Sequence, residues 1–151
     1  MKLDKFARKY RESRLSGKGI LFEHISDCAR VAELKSNWLA HFALGVKTDD
    51  IYMDDFLWNI FSYKRLPCIE GNEATNHFLS QNKAQCYIFF QHYDDAYYLD
   101  NAAALAPDDF MDGMDFRGRD LYVVSKRFNW TYVVTHESDL GPYYYHKKMS
   151  R

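Results

Sequence analysis

The stretch Asn129-Trp130-Thr131-Tyr132-Val133-Val134-Thr135-His136-Glu137 constrains this fold more than any other part of the chain. Trp130, Tyr132 and Val134 fall on one side of an extended backbone, and Thr131, Val133 and Thr135 on the other. That is the period-two pattern of a strand packed on a core. Similar runs surround it. Cys86 to Gln91 is apolar on both alternations, as a central strand is. His92-Tyr93-Asp94-Asp95 has turn chemistry, so Ala96 to Leu99 returns antiparallel. Leu121 to Val124 pairs with Trp130 to Thr135 across Lys126 to Asn129, and Tyr143 to Tyr145 follows the turn at Gly141-Pro142.

The earlier half reads mostly as helix. Residues 2–15 form a basic helix with a narrow apolar side of Leu3, Phe6, Tyr10 and Leu15, and Gly17 and Gly19 break it before a short strand, Ile20 to Ile25. Ser26 stands at an N-cap position, and Val31, Leu34, Trp38 and Phe42 recur at helical spacing up to Gly45. From Thr48 the pattern supports two periods, with Phe56, Trp58 and Ile60 fitting a strand and Leu57, Ile60 and Phe61 a helix face; a helix to about Asn59 is expected, with extended chain after it. Gly71-Asn72 opens a short helix whose Ala74 and Phe78 share a face. A chain of 151 residues suits one domain. The pattern predicts a single α+β domain over residues 20–146, with about five strands in an antiparallel or mixed sheet and helices chiefly on one face. Residues 1–19 form a basic extension or helix, and residues 147–151 a tail.

Twenty basic against twenty-one acidic residues leave a formal charge of −1, without the one-signed excess of a general nucleic-acid binder. No apolar run approaches a signal core or a membrane span, so the protein is expected in the cytoplasm and off the membrane. Cys28, Cys68 and Cys86 lack CxxC spacing and are expected as buried free thiols.

Chemistry, if present, belongs at the strand ends. His92 and Asp94 close the first hairpin, and His136-Glu137 closes the organising strand. Two imidazoles with carboxylates hold a divalent metal or form a base with its orienting acid. They meet if the Asp100–Asp120 connection crosses over so that Leu121 to Val124 runs parallel to Ala96 to Leu99; a plain meander puts them at opposite ends. HExxH is absent because Leu140 stands at the second histidine position, and GxSxG, GxxxxGK[ST] and GxGxxG are absent too. No metal or cofactor is assigned. Tyrosine abundance gives the other reading: Trp130, Tyr132, Tyr143 and Tyr93 are expected to contribute to a protein-binding face.

Leu57-Trp58-Asn59-Ile60-Phe61-Ser62-Tyr63, Pro67-Cys68, Glu73-Ala74, Gln91-His92-Tyr93-Asp94-Asp95, Asn101-Ala102, Trp130 to Glu137 and Gly141-Pro142-Tyr143 together resemble a bacterial family known as domain of unknown function 4275. The resemblance spans roughly residues 20–146. It implies a small intracellular bacterial protein and supplies no catalytic residues. The expected function is a non-enzymatic protein-binding module, in the manner of a toxin-neutralising immunity protein. The alternative is a small metal-dependent or acid/base hydrolase using His92, His136 and Glu137, and a third reading is a homo-oligomeric structural protein.

Overall fold

The computed structural model describes residues 1–147, so of the expected tail only Lys147 falls within it. Seven strands form one antiparallel sheet, in the order β1-β4-β3-β5-β6-β7-β2. They are β1 (Leu21–Ile25), β2 (Ile69–Glu70), β3 (Gln85–Phe90), β4 (Ala96–Asp100), β5 (Leu121–Ser125), β6 (Trp130–Val134) and β7 (Tyr143–His146). The five expected strands of the second half are all present. The short strand expected at Ile20 to Ile25 is β1, at one edge, and the unexpected two-residue β2 forms the other, so the sheet has seven strands and not about five.

Helices cover both faces, not chiefly one. Helices α1 (Lys5–Gly17) and α4 (Asn72–Ser80) pack over Ile88, Phe90, Val123, Trp130 and Tyr132. Helix α2 (Cys28–Phe42) and the single-turn α3 (Asn59–Ser62) pack over Phe89, Tyr122, Val124 and Val133 on the other side. The reason lies in the central strands. Every residue of β5 and β6 is buried, so a sheet roofed on one side only would leave Tyr122, Val124 and Val133 in water. Thr131 tolerates this burial because its hydroxyl donates to Val123 O (2.8 Å) and accepts from Trp38 Nε1 (3.0 Å).

Four local expectations change. Helix α1 buries Ala7, Arg11 and Leu15, while Phe6 is 71% exposed, because the buried face follows an ion pair made by Arg11 and not the aromatic spacing. Residues 49–58 form turns, since the N–H groups of Leu57 and Trp58 bond Gln91 Oε1 and Tyr122 Oη (both 3.0 Å) instead of a helical ladder. Helix α2 is capped by Asp27, which accepts from Ala29 N at 2.9 Å, and not by Ser26. Cys28 then lies exposed on its first turn, contrary to the expected burial. Cys68 is half-buried, and Cys86 is fully buried with its thiol pushed up to about 12 by desolvation.

Strand β3 lies between β4 and β5 and is antiparallel to both, so β4 and β5 run in the same direction. The connection from Asn101 to Asp120 carries the chain across β3. The ends of β3 and β6 therefore reach the same edge of the sheet.

Candidate functional site

Asp120 immediately precedes β5, His136 follows β6 by two residues, and His92 follows β3 by two. Leu121 pairs with both Val134 and Phe90, so all three residues gather at one corner. The Asp120 side chain is 3% exposed. Its Oδ1 accepts from the backbone N and Nδ1 of His136 and from Trp58 Nε1, each at 2.9 Å. Its Oδ2 lies 3.0 Å from His136 Nδ1 and 3.3 Å from His92 Nε2. A buried carboxylate needs this many donors. The result is an imidazole fixed in orientation by a carboxylate behind it.

The hydrogen bond that His136 donates to Asp120 raises the His136 pKa above the usual histidine value; burial opposes it, and Glu137, whose Oε1 lies 3.0 Å from Nε2, adds to the rise. The Phe56 ring stands 5.2 Å from His136 and 5.7 Å from His92, centroid to centroid. Asp94 takes no part: it lies 2.6 Å from the Met1 ammonium, whose hydrogen bond lowers its pKa. Among the described residues, no three His, Cys, Asp or Glu side chains are grouped as a metal ion requires.

Residues 111–119 form a loop beside this corner, rooted on Asp115. Asp115 Oδ1 accepts from Tyr93 Oη (2.5 Å) and Gly118 N (3.1 Å), and Oδ2 lies 3.0 Å from Arg11 Nη2. Arg11 is itself buried, donates to Phe110 O at 3.0 Å, and sits 4.8 Å over the Phe90 ring. Burial, then Asp115, holds the Tyr93 phenol well above its ordinary pKa. From this root the loop exposes Met114 (87%) and Phe116 (70%), which share a shallow cavity of about 260 Å³ with Phe6. On its other side a cavity of about 220 Å³ is walled by Met111, Gly113, Gly118, Val134 and His136.

The four residues expected on a binding face are instead in the cores: Trp130, Tyr132 and Tyr143 are at most 2% exposed and Tyr93 is 6%. Two helical layers give both alternations of each strand something to pack on, so their rings meet other side chains. Tyr132 stacks on Phe78 at 4.3 Å and shares a 2.8 Å hydrogen bond with Thr75. The sequence reading missed Asp120, Arg11 and Asp115. The one local signal for Asp120 is its place just before the apolar run Leu121 to Val124.

The family model described as Domain of unknown function (DUF4275) matches residues 14–144. The chain belongs to this family. No curated protein and no solved structure gives a match to this DUF4275 member. No helix among the described residues is long and apolar enough to cross a membrane.

Proposed function

We propose that this DUF4275 protein is a protein-binding module that docks through the 111–119 loop together with Phe6. One observation carries the reading: Phe6 of α1 and Met114 and Phe116 of the loop stand 70–87% exposed around one cavity, and the loop is held at its base by the buried Arg11–Asp115–Tyr93 node. Large apolar groups grouped in water cost free energy unless a partner covers them. A fixed loop spends little conformational entropy when it docks. Methionine and phenylalanine are suited to such a surface because one adapts its shape and the other supplies area. An immunity-like role, in which the face occludes a toxin, fits this surface.

The test is affinity capture from cells of the native host with the wild type and with Phe6→Asp, Met114→Asp, Phe116→Asp combined. Loss of an interface anchor worth about 2 kcal/mol weakens binding roughly thirtyfold. Because all three side chains face water, the variant should melt close to the wild type. A partner retained equally by both proteins removes the assignment.

A second reading rests on Asp120. An imidazole oriented by a buried carboxylate is the arrangement that acid/base hydrolysis uses, and His136 lines the 220 Å³ cavity. It predicts slow hydrolysis of p-nitrophenyl esters that His136→Ala abolishes; equal rates for the two proteins reject it.

A further inference from the structure

A cavity of about 1040 Å³ lies on the opposite flank, beside β7 where β2 stops short. Its apolar lining comes from Leu44, Leu66, Pro67 and Ile69, and no carboxylate lines it among the described residues. His41 and Lys147 share it. Lys147 Nζ lies 2.6 Å from His41 Nδ1, so an ammonium donates to a neutral imidazole where an acid would ordinarily stand. Both groups are shifted towards their neutral forms, His41 by burial and then by the Lys147 charge, and Lys147 by burial. Among the described residues this basic pair has no acidic partner in the groove to neutralise it, and an aliphatic surface runs beside it.

We infer that this groove binds a free straight-chain carboxylate, its head on Lys147 and His41 and its alkyl chain along Leu44, Leu66 and Ile69.

A peptide strand is a poorer occupant. Lys147 N bonds Asn129 O on the β6 side and Gly71 N bonds Pro142 O on the β2 side, which fixes the alternation of β7. Residues 143, 145 and 147 then face β6, and 142, 144 and 146 face outwards. β2 occupies the outer side at Tyr144. Within the described strand only His146 is left open, and the residue that would pair with it is Pro67, which has no N–H to give. One open position is too little for strand addition, which draws its affinity from a row of main-chain bonds. An alkyl chain needs none of them. The cavity has the size and mostly apolar character of small-ligand sites, with a few polar groups to fix orientation.

The experiment is a titration of the full chain with sodium dodecanoate below its micelle concentration, followed by amide shifts and calorimetry. The expected result is saturable one-to-one binding, with the largest shifts at Ile69, Tyr145 and Lys147. Dodecanol, which lacks the charge, and the Lys147→Glu variant with dodecanoate should each bind at least about tenfold more weakly. Lys147 is half-buried at the end of the described chain, so its replacement leaves the cores intact. Absence of saturation overturns the inference, as does equal affinity for dodecanol and dodecanoate. Binding to anionic phospholipid vesicles without binding to free dodecanoate overturns it too.

Discussion

Alanine in place of Gly118 gives a direct measure of how firmly the loop root is packed. A Cβ built there would press into Asp115 Oδ2, lie 2.6 Å from Arg11 Nη2 and 2.9 Å from Asp115 Cγ. None of these can retreat into water, because the Arg11 side chain is 1% exposed and that of Asp115 is 7%. Overfilling a packed site costs about 1–3 kcal/mol. Stripping a buried charge of its partner costs about 3–5 kcal/mol. The methyl group forces part of that separation, so Gly118→Ala should destabilise by about 3 kcal/mol, or roughly 6–12 °C in Tm for a domain of this size. Urea unfolding followed by tryptophan fluorescence measures it. In an Arg11→Met, Asp115→Ala background both obstructing groups are gone, and the glycine change should then cost less than about 0.5 kcal/mol. The difference is the coupling between the sites. If Gly118→Ala alone stays within about 0.5 kcal/mol of wild type, the account of Asp115 as the loop's anchor is wrong.

Two further outcomes follow from the buried polar contacts. Thr131→Val removes the acceptor for the fully buried Trp38 indole and should cost about 1–3 kcal/mol in urea denaturation, with a change in native tryptophan emission; no loss of stability would mean that the indole N–H has another partner. His136 has a folded pKa above its unfolded value, so its stabilising contribution is complete below about 6.5 and disappears as pH climbs through the folded value. Its ring proton resonances should titrate above 6.5 in the wild type and lower in Asp120→Asn, and an unchanged midpoint would remove Asp120 as the cause.

Much of the sheet was readable because β3 to β7 are each marked by their own residues. The two-sided burial was harder to see. Thr131 makes one face of β6 look solvated, whereas its hydroxyl is satisfied inside the protein by Val123 and Trp38. The segment 49–58 misled because Leu57 and Trp58 find acceptors on Gln91 and Tyr122, far along the chain, and helical periodicity carries no trace of that. At the corner site, His92, His136 and Glu137 were legible as polar residues closing strands. Asp120 was not, since a carboxylate before a strand is ordinarily solvated, and its burial depends on Trp58 and two histidines arriving from three other segments. Arg11 and Asp115 are equally invisible to local pattern. An arginine on a basic helix reads as surface until its partner is known.

The placement of β3 between β4 and β5 also bears on how the chain assembles. The β3–β4 and β5–β6 ribbons each close over a short turn, which takes microseconds. Joining them requires the whole Asn101–Asp120 excursion to be ordered before β3 meets β5, and that entropy is lost ahead of any reward. The stack of Phe89 on Tyr122, with centroids 4.8 Å apart, spans this seam. Loop-closure entropy predicts that this contact forms late, so trimming Tyr122 to leucine should speed unfolding far more than it slows refolding.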